Sequence, residues 1–145
     1  MKSQKINITE DGEQEAVIDW CTVSKGKYPE LEMIHHVANE GRRSPQYGAR
    51  LKRMGMSPGY PDLLLDCPKG IYHGLRIELK KDRKSKPTAE QKEWISKLNR
   101  YGYYAVVCYG ADEAIAVLQQ YLNLKENEGI NSDDKQCSNN GKAYI

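Results

Sequence analysis

Tyr60-Pro61-Asp62-Leu63-Leu64-Leu65 and, after a short connection, Leu75-Arg76-Ile77-Glu78-Leu79-Lys80 are the stretches whose reading decides the fold. Each is a short apolar run bounded by Gly or Pro, which reads as strand rather than helix. Cys67-Pro68-Lys69-Gly70 between them has turn composition, so a hairpin is expected. Side chains alternate along a strand, so Glu78 and Lys80 project to one side and Leu79 to the other. If the strands pair, Asp62 and Glu78 converge with Lys80 beside them. Two carboxylates suit a hard cation such as Mg²⁺. A neighbouring ammonium can hold an attacking water and a developing phosphorane charge. The competing reading is three ordinary surface charges at strand ends, since Asp, Glu and Lys are common residues.

With 145 residues the chain is expected to form one domain around a single core. Phe is absent, and ten Tyr and two Trp supply the aromatic bulk. A net charge of +2 does not by itself announce a polyanionic partner, but its distribution does more. Arg42, Arg43, Arg50, Lys52 and Arg53 precede Asp62, and Lys80, Lys81, Arg83, Lys84 and Lys86 follow Glu78. Basic runs thus flank the acids on both sides, as a phosphate-backbone binder requires; solvated loop and helix faces are the plainer alternative. Cys21, Cys67, Cys108 and Cys137 show no zinc or redox spacing. With no signal peptide and no apolar stretch near membrane length, a soluble protein of a reducing compartment is expected. The domain is drawn over 1–124. Residues 125–145, rich in Asn, Ser, Asp and Gly, are expected to be a flexible tail.

The rest of the chain supplies helices around these strands. Glu13 to about Val23 has helical spacing, with Ala16, Val17 and Trp20 sharing a face with Glu13. That places a carboxylate inward, as a possible third metal-site acid. Leu31 to Val37 reads as a strand ending in the turn Ala38-Asn39-Glu40-Gly41. Ser44-Pro45 opens a helix that carries Arg50, Lys52 and Arg53 and stops at Gly55. Thr88-Ala89-Glu90-Gln91 is a capping box opening a helix to about Arg100, with Gln91 on or beside its apolar face. Tyr103 to Tyr109 reads as a strand and Asp112 to Leu122 as a last helix. The order α-β-α-β-β-α-β-α predicts an α/β sandwich around a mixed sheet.

Asn39-Glu40-Gly41-Arg42-Arg43, Gly59-Tyr60-Pro61-Asp62-Leu63, Ile77-Glu78-Leu79-Lys80, Gln91-Lys92-Glu93-Trp94 and Gly102-Tyr103 occur in this order. In this the chain resembles the VRR-NUC (virus-type replication-repair nuclease) branch of the PD-(D/E)xK nuclease superfamily, and more closely its small phage and prophage members. The match runs from about Glu13 to Leu122. The resemblance implies a restriction-endonuclease-like fold and a phosphodiesterase dependent on Mg²⁺ or Mn²⁺. It assigns Asp62 and Glu78 as metal ligands, the Leu79 carbonyl as a further oxygen, Lys80 as the residue positioning water, and Gln91 as support for the lysine or a phosphate. The first-helix acid corresponds to Glu13, with Glu15 the competing assignment. Further implications are in-line attack of water on phosphorus leaving a 5′-phosphate, a homodimer that resolves Holliday junctions, and a setting in the cytoplasm of a bacterial host.

Three rivals stand beside this reading: a flap or nicking endonuclease of the same fold, a non-catalytic DNA-binding module on a retired nuclease fold, and an interaction subunit of phage replication. The first leaves no distinguishing motif, because shape recognition needs none. The second would be expected to have lost an acid or the lysine. Arg42, Arg43, Arg50, Arg53 and Lys81 are the candidate DNA contacts, and Leu51 and Met54 a candidate dimer face. His35 and His36 read as packing or surface residues. Tyr101, Tyr103, Tyr104 and Tyr109 read as core rather than a base-stacking set.

Overall fold

Thr9 starts the first helix earlier than the apolar spacing alone suggested: its hydroxyl accepts from Gly12 N at 3.0 Å, capping α1, Glu10–Ser24. The computed structural model describes residues 9–37 and 44–131. Val17 and Cys21 form the buried line of α1, with Glu13 half-buried one turn ahead, whereas Ala16 is exposed rather than inward. The stretch read as a strand from Leu31 begins instead as a 3₁₀ turn, Pro29–Met33, and only Ile34–His36 forms β1. Pro29 at the first turn position fixes the φ that such a turn requires. The turn expected after Val37 lies outside the described residues.

Helix α2, Pro45–Arg53, opens as read, with Ser44 Oγ accepting from Tyr47 N at 3.2 Å. Strands β2, Leu63–Leu65, and β3, Leu75–Lys80, follow, then α3, Ala89–Arg100, behind a complete Thr88–Gln91 capping box. Strand β4, Tyr104–Tyr109, and helix α4, Ala111–Leu122, complete the order. The sheet runs β1-β2-β3-β4, antiparallel except for the parallel β3–β4 pair that the α3 crossover connects. This is the predicted sandwich with a mixed sheet.

Alternation along β3 sorts the two layers. Leu75, Ile77 and Leu79 join Leu63 and Leu65 in a core with Val17, Cys21, Leu118 and Tyr121 of α1 and α4. Arg76, Glu78 and Lys80 point to the opposite face, where α3 lies, and all three are buried. A row of three buried charges on a central strand is costly unless its members pair, and here they pair.

Packing continues past Leu124. Ile130 is buried; its N–H donates to Tyr72 Oη at 2.9 Å, and Ile71 N donates to the Glu128 carbonyl at 2.9 Å. Residues 132–145, with Cys137, lie outside the described ones. Of the tyrosines read as core, Tyr104 is buried and Tyr101 is 72% exposed. Among the described residues no helix is long and apolar enough to cross a membrane.

Candidate active site

Asp62 stands one step before β2. The antiparallel register pairs Leu63 with Ile77, so continuing it by one residue sets Asp62 opposite Glu78 on the α3 face. Both ends of Asp62 are held. Its Oδ2 accepts from Leu79 N at 3.0 Å, and its carbonyl accepts from Val37 N at 2.8 Å and from His36 Nδ1 at 3.1 Å. A carbonyl only accepts, so His36 carries its proton on Nδ1. The sequence reading set His36 aside as a packing or surface residue. Its place at the end of β1 makes it part of the scaffold around Asp62.

Glu78, 1% exposed, accepts from Gln91 Nε2 through Oε1 at 2.6 Å, and Lys80 Nζ lies 3.3 Å from the same oxygen. Gln91 reaches Glu78 because of the helix start it serves. Its Oε1 accepts from Thr88 N at 2.8 Å, and Thr88 Oγ1 accepts from Gln91 N at 3.2 Å. Thr88 N can only donate, so the carboxamide oxygen is fixed at the cap and the NH₂ must face Glu78. A glutamate at 91 would complete the same capping box but bring a second carboxylate onto Glu78.

Gly59 lets the Asp62 loop lie against this helix start. It has φ +86°, and a Cβ there would sit 2.7 Å from Glu90 C and 2.8 Å from Gln91 N. Only glycine combines that backbone with that approach. A cavity of about 400 Å³ opens between this loop, α2 and α3, and Lys52, Met56, Tyr60, Asp62 and Gln91 are among its lining residues.

The remaining candidates scatter. Glu13 Oε2 accepts from Ala111 N at 2.6 Å, at the first residue of α4. It thereby caps a helix whose own N-cap, Gly110, has no side chain to offer. Glu15 is exposed. No cluster of three or more His, Cys, Asp or Glu residues suited to a metal occurs among the described residues. Leu79 contributes its backbone N–H to Asp62 and its side chain to the core. Arg50, Arg53 and Lys81 are exposed. Arg42 and Arg43 lie outside the described residues. Arg76, absent from the sequence-based candidates, is two residues before Glu78 on the same face. Its Nη2 pairs with Asp66 at 3.1 Å and its Nε donates to Tyr60 Oη at 3.2 Å. The alternation that marked Glu78 and Lys80 already contained it.

An acid ahead of β2, and an acid and lysine two apart on β3, all facing one helix, are what the motif order implied. The profile of the VRR-NUC domain matches residues 6–112. The chain belongs to the VRR-NUC family. A solved structure described as a VRR_NUC domain protein is 46% identical, covering 86% of this chain and 96% of that one, with a TM-score of 0.73. No curated protein matches the chain. The family match spans α1 through the start of α4, so both VRR-NUC acid motifs, the lysine and Gln91 fall within it.

Proposed function

We propose that this VRR-NUC nuclease domain is a metal-dependent DNA endonuclease whose centre is Asp62, Glu78 and Lys80. The observation that carries the reading is the burial of these three charges on one sheet face, with Asp62 lining a cavity. A buried acid–lysine pair is poor value for stability alone, and such pairs concentrate at functional sites. The donor chemistry fits Mg²⁺ or Mn²⁺: two carboxylates side by side, with the Leu79 carbonyl as a further oxygen, are hard ligands of the kind these ions take together with water and phosphate. When bound, such an ion offsets charge on the phosphoryl oxygens and makes water a better nucleophile.

The chain's own residues do the rest. Lys80 holds the attacking water and donates toward charge growing on the phosphorus oxygens. Gln91 and Lys80 fix the rotamer of Glu78, while Leu79 N–H, Val37 N–H and His36 fix Asp62. Arg50, Arg53 and Lys81, with Lys52 on the cavity wall and Arg42 and Arg43 ahead of α2, supply phosphate contacts that position without reading sequence. Hydrolysis would leave a 5′-phosphate and a 3′-hydroxyl. The substrate is branched DNA, and a homodimer cutting symmetry-related strands of a four-way junction is the preferred form. A flap or nicking endonuclease is the second reading. The setting is the cytoplasm of a bacterial host.

The test is cleavage of a labelled four-way junction beside a flap, a nicked duplex and a plain duplex, each with Mg²⁺, Mn²⁺ or EDTA. Wild type is compared with Lys80→Ala and Asp62→Asn. The asparagine keeps an acceptor for Leu79 N–H, so loss of activity there reports the missing charge. Paired symmetric cuts in the junction, abolished by EDTA and by either substitution, support the resolvase. Metal-dependent cutting of flaps alone keeps the site and removes the junction assignment. Binding without cutting under every metal returns the protein to a retired nuclease fold.

A further inference from the structure

A second concavity lies on the same face of the sheet, and no step assigned above uses it. It measures about 610 Å³, and its lining includes Tyr60, His73, Trp94, Lys97, Tyr101 and Tyr103. The rings are arranged rather than scattered. Tyr60 and Trp94 meet edge to face at 5.0 Å, and His73 and Tyr103 at 5.7 Å. Buried Arg76 anchors both sides: its Nε donates to Tyr60 Oη, and its guanidinium lies 4.6 Å from the Tyr103 ring centre. Gly102, at φ +92°, leaves room for His73, whose ring a Cβ there would meet at 2.6 Å. His73 N donates to the Gly102 carbonyl at 2.9 Å. Tyr101 stands 72% exposed at the end of α3.

Cations edge this aromatic surface. Lys97 Nζ lies 5.3 Å from the Trp94 ring centre, and the Arg100 guanidinium 5.9 Å from that of Tyr101. Lys97 also pairs with Glu93 at 2.9 Å, a surface contact of little net worth that a phosphate can replace. The groove continues from the candidate active site. Tyr60 borders both cavities, and Trp94 follows Gln91 by one turn of α3. Arg76 precedes Glu78 by two strand residues, roughly 7 Å along β3.

We propose that this groove binds unpaired nucleobases of a single DNA strand next to the cleavage site, stacking them on Trp94, Tyr101 and Tyr103 while Lys97 and Arg100 contact the backbone. Flat rings bordered by cations bind single strands without sequence preference, because every base has a face to stack and every nucleotide a phosphate. Paired bases in a duplex present only edges, so the groove selects for a segment lacking its complement. The inference rests on the nuclease reading for its biological sense, but its test does not require cleavage.

Binding of a labelled oligothymidylate and of a duplex of equal length is measured by anisotropy in EDTA. Wild type is compared with Tyr101→Ala, an exposed position whose loss should leave the fold intact, and with Lys97→Ala. In a Trp20→Phe background, Trp94 emission gives an independent readout. Tyr101→Ala is expected to weaken single-strand binding about tenfold and duplex binding less than twofold, and oligothymidylate, not duplex, should quench Trp94. Equal losses on both ligands, no loss on either, or no quenching would overturn the groove. So would a change in sedimentation with unaltered DNA binding, which would make this face a dimer contact. Cleavage intact with the groove inert removes only this inference; single-strand binding without cleavage removes only the nuclease reading.

Discussion

Gln91 serves a helix cap and a buried carboxylate at once, so two substitutions at this position should fail differently. Gln91→Ala removes the 2.6 Å bond to Glu78 and the 2.8 Å bond from Thr88 N. A hydrogen bond to a buried charge is worth about 1.5–3 kcal/mol. The exposed Thr88 can take water instead, so its loss adds a few tenths, at the low end for caps. The sum is about 2–3 kcal/mol, or a Tm lowered by roughly 10 °C for a domain of this size. Gln91→Glu keeps the cap but sets a carboxylate against Glu78 Oε1. Two carboxyls so close share one proton, and the second dissociation is pushed upward. A group whose folded pKa is raised above its unfolded value, about 4.3 for Glu, gives stability that is full below that value and lost as pH rises through the folded one. The Gln91→Glu variant should therefore melt well below wild type at pH 8 and approach it near pH 4.5, with EDTA present throughout. For Gln91→Ala the deficit should depend on pH far less steeply. Thermal melts at the two pH values decide it. A pH-independent gap between wild type and Gln91→Glu would refute the contact geometry from which this reasoning starts.

Other consequences are as specific. Gly59→Ala forces a Cβ into the start of α3 at positive φ. It should cost about 2 kcal/mol or more and depress cleavage further by displacing Asp62, as urea unfolding and turnover measured together will show. His36→Phe should leave cleavage several-fold lower, since one donor to the Asp62 carbonyl goes; unchanged turnover in the folded variant would mean Val37 N–H suffices. Burial pushes the Cys21 thiol up to about 11. The unfolded chain loses that proton first, so the thiol's contribution is whole below about pH 9 and fades toward pH 11. The urea-midpoint gap between wild type and Cys21→Ala should narrow from pH 7.5 to 10.5. Ile130→Ala should cost about 2 kcal/mol by emptying the site beside Tyr72, detectable as a lower Tm.

The charged row on β3 shows how the site and fold share residues. Arg76, Glu78 and Lys80 occupy a strand whose other face is Leu75, Ile77 and Leu79. One alternation builds both the core and the candidate site. The face holding the charges is closed by a helix start rather than by apolar side chains alone. Placing Gln91 at the third position of α3 puts a polar group where an ordinary core would want leucine, and the capping box provides the reason it is tolerated.

The sequence by itself determined the hairpin, the order of elements, the alternation that puts Glu78 with Lys80, and the capping box at Thr88–Gln91. These are local: strand periodicity and helix caps depend on residues within a few positions of one another. Motif order carried the family for the same reason, since it needs no knowledge of contacts. Tertiary structure alone decided what each carboxylate touches. Glu13 has the helical face expected of a site acid, yet its oxygen caps α4, because Gly110 left a bare helix start within reach. His36 looked like an ordinary strand-end residue until β1 paired beside β2 and brought its ring to the Asp62 carbonyl. Ile130, one apolar residue in a polar stretch, gave no periodic signal, and only the hairpin tip at Tyr72 offered it a place to bury. Tyr101 and Tyr104 stand three apart in one aromatic run, but one ends a helix in solvent and the other begins a strand with its ring in the core. Such partners lie far apart in the chain or differ only in what packs against them, and side-chain type does not encode distance in space.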